Sequence, residues 1–195
     1  MGQYYTPCIL SNDKEKVKKS FYSWHYENGL KLMEHSYVNN WLVLAVERYL
    51  FNNPQRLVWC GDYAEMDYYT LADKNLLDRI APVESNENHL DDGEATYLEE
   101  YNYDNLKEVV GEVRYIVNHD MKLLARVEKT KNLTIHPLPL LTAVGNGLGG
   151  GDYYGTYQEL VGTWATDVIE VVNEEKAKKY QQKGYVLETY EFEEE

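Results

Sequence analysis

Residues 37–51 read YVNNWLVLAVERYLF and carry the clearest helical hydrophobic period in this 195-residue chain. The apolar residues recur at steps of three and four and so form one stripe; they are Trp41, Leu42, Ala45, Val46, Tyr49 and Leu50. Asn39 is expected to cap the helix, and the Asn52-Asn53-Pro54 turn to end it. We predict one main helix at about 37–51, packed on one face of a sheet.

The segments on either side are short and β-rich, and turn residues separate them. Strands are predicted at 3–10, 17–24, 56–60, 113–118, 122–127, 168–172 and 185–192, with short helices at 105–112 and 173–183. Residues 133–144 are expected to be extended because of Pro137 and Pro139. Strict β-α alternation is missing, so we predict an α+β fold with a mostly antiparallel sheet rather than a doubly wound one.

The length predicts a single domain over residues 1–195. Residues 84–104 differ from the rest of the chain, because they contain many carboxylates and neither lysine nor arginine. We predict an acidic insertion or mobile loop there.

The charge balance excludes some classes of partner. The chain has 19 basic and 33 acidic residues, a formal net charge of −14. Direct binding to nucleic acids and binding to anionic membranes both need clustered basic residues, so we expect neither kind of binding. No apolar run reaches the length of a membrane span, and the N-terminus lacks the pattern of a signal peptide. We expect a cytoplasmic protein with two buried free thiols, Cys8 and Cys60.

The most unusual stretch is LLTAVGNGLGGGD at residues 140–152. It satisfies GxGxxG, but no helix start follows it and Asp152 would repel phosphate, so a dinucleotide site is disfavoured. The glycines fit either a tight structural crossover or a loop that contacts a ligand or partner. For the second case we predict a contact set of Asn146, Gly147, Gly149, Gly150, Asp152, His136, Trp164 and His35.

Motifs for catalysis are missing. Neither GxSxG nor HExxH occurs, and neither cysteine lies beside a histidine. The catalytic residues are therefore unknown, no cofactor or metal is predicted, and the balance favours a protein that is not an enzyme.

Four segments carry a resemblance to a family: MGQYY at 1–5, NGLKLMEHSY at 28–37, HPLPLLTA at 136–143 and GNGLGGGD at 145–152. Together they resemble an uncharacterised family of small bacterial and phage proteins. The resemblance implies a bacterial or phage origin and a cytoplasmic location, and it implies no activity. In that family a basic residue is expected at position 148, where this chain has Leu148 instead.

Two functional hypotheses follow. In the first, the chain is a phage-encoded, non-catalytic protein whose acidic, tyrosine-rich surface engages a basic host protein, as an anti-defence inhibitor would. In the second, it is a module or enzyme that binds or sequesters a small molecule or nucleotide signal at the glycine loop, residues 145–152. The sequence leaves the oligomeric state open.

Overall fold

The structure is a computed structural model that describes residues 2–64, 79–82, 96–98, 103–128, 135–145 and 152–194. These residues form an α+β fold built on one open, mostly antiparallel sheet, as the sequence predicts. The strands are β1 (Tyr5–Leu10), β2 (Val17–Phe21), β3 (Gln55–Gly61), β4 (Arg79–Pro82), β5 (Thr96–Leu98), β6 (Val113–Asn118), β7 (Leu123–Glu128), β8 (Ala143–Val144), β9 (Val168–Val172) and β10 (Val186–Glu188).

The strand order is β10-β7-β6-β9-β3-β1-β2-β4-β5, and the short β8 pairs with β3 beside this path. In the centre, β1 lies antiparallel between β2 and β3. The β6–β7 hairpin is antiparallel and places His119 and Asp120 in its turn. The β1–β2 and β6–β7 pairings are local hairpins, whereas the pairings of β1 with β3, β3 with β9, β6 with β9 and β7 with β10 join distant parts of the chain.

Five α-helices lie within the described residues: α1 (Leu32–His35), α2 (Trp41–Leu50), α3 (Tyr103–Val110), α4 (Pro137–Thr142) and α5 (Glu174–Gln182). The expectation of one main helix is not confirmed, because α3 and α5 have eight and nine residues against ten in α2. Helix α2 nevertheless contributes heavily to the core, since its residues 42–46 are fully buried.

The cap of α2 differs from the predicted one. Asn40 is the N-cap, and its side-chain oxygen accepts hydrogen bonds from the backbone N–H groups of Leu42 and Val43. Asn39 instead adopts a left-handed backbone, with φ of 68°. Its side chain is thereby released from capping and contacts Arg114.

The prediction of an extended segment at 133–144 is wrong for residues 137–142, which form α4. Proline disrupts a helix only where its missing N–H would have been bonded, and the first turn has no such bonds. Pro137 lies at the start of α4, and the side chain of His136 accepts the N–H of Leu138. A proline pair that we expected to exclude a helix therefore begins one.

Most of the predicted acidic insertion at 84–104 lies outside the described residues. Its described parts are strand β5, at Thr96–Leu98, and the start of α3, at Tyr103.

Candidate functional site

A carboxylate lies in the wall of a cavity beside the first strand. Asp152 is only 7% exposed. The hydroxyl of Tyr5 donates to its Oδ1 at 2.9 Å, and the amide of Gln3 donates to its Oδ2 at 3.2 Å. Gln3 and Tyr5 are themselves buried. The start of β1 thus orients a charged side chain that lies almost 150 positions further along the chain.

Two glycines make room for this arrangement. A Cβ atom added to Gly61 or to Gly145 would overlap the side-chain amide of Gln3, and at Gly145 it would also crowd the hydroxyl of Tyr5. Gly145 directly follows β8, and Gly61 is the last residue of β3. Their role is close approach of a side chain, which is one reason for glycine where backbone and neighbouring groups nearly touch.

The cavity has a volume of about 380 Å³, which is within the usual range for small-molecule sites. Its wall combines a carboxylate, two phenols and an amide with aliphatic side chains. The described residues that line it are Tyr5, Leu32, Ala143, Val144, Gly145, Asp152, Tyr153, Gln158 and Val161. None of these carries a positive charge.

Burial and the neighbouring Asp152 raise the pKa of the Tyr5 phenol far above its ordinary value. Tyr5 is therefore a neutral hydroxyl that donates to Asp152 over the whole physiological range. Among the described lining residues Asp152 supplies a carboxylate, and it accepts hydrogen bonds from the neutral side chains of Tyr5 and Gln3.

Of the predicted contact residues, Asp152 lines the cavity. Asn146, Gly147, Gly149 and Gly150 lie outside the described residues. The remaining three, His35, His136 and Trp164, are buried and do not line it.

His35 is held by bonds to both ring nitrogens. The indole N–H of Trp59 donates to its Nε2 at 2.9 Å, so Nδ1 carries the proton and donates to the Gly29 carbonyl at 3.0 Å. Burial lowers the pKa of His35 to about 4. This neutral ring ties α1 to β3 and has a structural role.

His136 belongs to a sealed ionic cluster. Glu47 accepts two hydrogen bonds from Arg114, at 2.8 and 2.6 Å, and a third from Nε2 of His136 at 2.9 Å. Burial alone would raise the pKa of Glu47, but Arg114 and His136 outweigh it and hold that pKa at about 2. The cluster joins α2, β6 and the start of α4, with every side chain fully buried.

Trp164 packs against the C-terminal segment. Its ring meets that of Tyr190 edge-on, with centroids 5.5 Å apart. Phe192 packs in the same way on Tyr153, which also lines the cavity. Trp164 therefore belongs to the packing of the C-terminal segment and is not among the described residues that line the cavity.

A second polar cluster was missed by the sequence analysis. Glu170 on β9 accepts hydrogen bonds from His119, Lys176 and Tyr180, and His119 also contacts Tyr185. The available signal was a glutamate inside an otherwise apolar strand, VIEVV, because a buried charge requires partners.

Within the described ranges, no three His, Cys, Asp or Glu side chains converge as a metal site. Nor does any helix in the described parts of the chain have the length and apolar character to cross a membrane.

No protein-family model matches the chain, and searches of curated proteins and of solved structures give no match. The resemblance noted above stays a prediction, and functional inference rests on the geometry.

Proposed function

We propose that this protein binds a small molecule in the Asp152 cavity, and that the ligand presents a protonated amine or amidine to the Asp152 carboxylate. The observation that carries the proposal is a cavity of about 380 Å³ with an oriented carboxylate in its wall. Gly145, the first residue of the predicted glycine loop, lines the cavity, and this supports the second sequence hypothesis.

The chemistry of the wall selects the charge of the ligand. Asp152 is only 7% exposed, and a desolvated carboxylate is stabilised by a partner that is cationic or rich in hydrogen-bond donors. A phosphate would meet this charge with no lysine or arginine among the described lining residues. The aliphatic side chains of Leu32 and Val161 suit an apolar ligand body, with Gln158 and Tyr153 as polar contacts.

The test compares probes that match in shape and differ in charge. Benzamidine and benzoate are titrated separately into the protein, and ligand-observed NMR follows binding. We expect benzamidine to bind in the millimolar range and benzoate not to bind. Asp152→Asn should weaken benzamidine at least about tenfold, or roughly 1.4 kcal/mol.

Glu159→Gln is the matched control, because it removes one exposed negative charge next to the lining residue Gln158. It should leave benzamidine binding unchanged. Equal binding of both probes, or equal effects of the two substitutions, would contradict the proposal.

A second candidate function has its own observation, a groove of about 590 Å³ around Trp24. Trp24 is 65% exposed, an unusual state for this side chain, and the same groove is lined by Glu27 and by Glu34, whose carboxylate lies 3.8 Å from the ammonium group of Lys31, also in the lining. An open indole flanked by carboxylates is suited to lysine and arginine side chains, through cation–π and ionic contacts. This arrangement supports the first sequence hypothesis, a basic protein partner.

The partner hypothesis is tested with a short arginine-rich peptide. We expect binding that weakens steeply from low to high salt, and a further loss of about fivefold in Trp24→Ala. Tyr154→Ala removes another exposed aromatic side chain and should have no effect. Salt-independent binding, or the same loss in both variants, would rule out this groove as the docking site.

A further inference from the structure

The cluster at the β6–β7 turn places a phenol, an imidazole and a carboxylate in series. The Tyr185 hydroxyl lies 3.0 Å from Nδ1 of His119, and Nε2 of His119 lies 3.0 Å from Oε2 of Glu170. A nucleophile next to a base that a third group orients is the arrangement that activates hydroxyl groups in covalent catalysis.

The ionised state of Glu170 determines which nitrogen of His119 donates a hydrogen bond and which accepts one. Burial alone would raise its pKa, but hydrogen bonds from His119, Lys176 and Tyr180 lower that pKa to about 2. A carboxylate only accepts, so Nε2 of His119 must carry a proton. In the neutral ring Nδ1 is then the acceptor, and Tyr185 donates its proton to it. This is the tautomer that a general base for Tyr185 needs.

The carboxylate itself is firmly held. Lys176 donates to Oε1 of Glu170 at 2.5 Å and Tyr180 donates to Oε2 at 2.8 Å, and the Glu170 side chain is 1% exposed. His119 is 20% exposed and Tyr185 is half-buried, so both side chains are partly accessible to solvent, whereas Glu170 is not.

Two lysines lie close to the aromatic pair of Tyr180 and Tyr185. The ammonium groups of Lys176 and Lys183 lie 6.0 and 5.7 Å from the ring centroid of Tyr180. That ring packs 4.9 Å from the ring of Tyr185. Lys176 is paired with Glu170, and Lys183, on the Tyr180 ring, adds a positive charge to this region that favours the approach of an anionic reactant.

We propose that Tyr185 is a nucleophile that accepts a phosphoryl group from activated phosphoric esters or anhydrides, with His119 as general base and Glu170 as its positioning residue. The Oη atom of Tyr185 attacks phosphorus, and the bond from phosphorus to the leaving oxygen breaks. The phenolic proton passes to Nδ1 of His119 and from there to the leaving oxygen. The product is a tyrosyl phosphoester, and this inference is independent of the Asp152 cavity.

The test uses a biotin-tagged fluorophosphonate on the full chain. Attack by a tyrosine forms an Oη–P bond and breaks the P–F bond, with fluoride leaving and the proton passing through the base to solvent. Adducts at each tyrosine are quantified over time by peptide mass spectrometry. Tyr154 and Tyr157, both 48% exposed, serve as internal controls for ordinary surface reactivity.

We expect Tyr185 to be labelled first, at least about tenfold faster than either control although it is less exposed. His119→Ala should slow labelling at Tyr185 by about 100-fold, the lower end of general-base effects, and leave the controls unchanged. Added imidazole should restore part of the rate at Tyr185, which a purely structural role of His119 would not produce.

If Tyr154 and Tyr157 of the wild-type protein were labelled faster than Tyr185, labelling would follow exposure, and this result alone would overturn the proposal. An unchanged Tyr185 rate in a folded His119→Ala protein would do the same, with folding checked by thermal unfolding.

Discussion

Two glutamates in this protein each bind a histidine, yet their surroundings differ. Glu47 lies in a sealed cluster in which Arg114 and His136 are also fully buried. Glu170 is equally buried, but its partners His119 and Lys176 reach solvent with side-chain exposures of 20% and 36%. Both carboxylates have a pKa lowered to about 2 by their partners.

The difference shows that a shifted pKa does not by itself distinguish a structural cluster from a chemical one. In the Glu47 cluster both histidine nitrogens contact protein groups that solvent cannot reach. In the Glu170 cluster the histidine leads outward to a tyrosine hydroxyl. Access to a reactant, rather than the strength of the ion pair, separates the two regions.

The largest expected effect tests the sealed cluster. Arg114→Leu would leave the Glu47 charge buried without its cation, and we expect the free energy of unfolding to fall by about 3–5 kcal/mol. Urea denaturation measures the change. Arg126→Leu is the control, since Arg126 pairs with Glu128 at the surface and should cost at most about 1 kcal/mol. Similar losses in the two variants would argue against a critical buried ion pair.

The two histidines give an intermediate effect. His136→Ala removes the hydrogen-bond partner of a buried Glu47 oxygen and of the Leu138 N–H, and we expect a loss of about 3 kcal/mol. His119→Ala should cost about 1 kcal/mol, because water can replace the ring. Thermal and urea unfolding of both proteins provide the comparison. A larger loss at His119 would reverse our assignment of the structural histidine.

The last comparison concerns the dependence of stability on pH. Both glutamates have folded-state pKa values of about 2 against an ordinary value of 4.5, so between these values the unfolded chain binds more protons. The stability they provide is present above pH 4.5 and declines as the pH falls toward 2. In Glu170→Gln, about one proton fewer should bind on unfolding in this pH range, so the free energy of unfolding should fall less steeply as the pH falls. A slope unchanged by Glu170→Gln, measured by urea denaturation at several pH values, would contradict the assignment.

The α+β class and several elements could be predicted from local patterns. The period of three and four residues indicates α2, and alternation around His119-Asp120 indicates the β6–β7 hairpin. The cap at Asn40 and the helix at Pro137 could not be predicted, because each depends on a backbone choice that neighbouring segments determine. Asn39 takes a left-handed conformation where its side chain can contact Arg114.

The candidate sites show a sharper division. The sequence alone determined the negative charge, the α+β class, the main hydrophobic stripe and the acidic residue after the glycine segment. It placed His35 and His136 in a contact set, but neither lines the cavity, and it gave His119 no role. Only the tertiary structure brought Gln3 to Asp152, 149 positions away, and Glu170 to His119, 51 positions away. The physical reason is that periodicity and turn chemistry act over a few residues, whereas hydrogen bonds and buried ion pairs depend on distances that the packing of the whole sheet establishes.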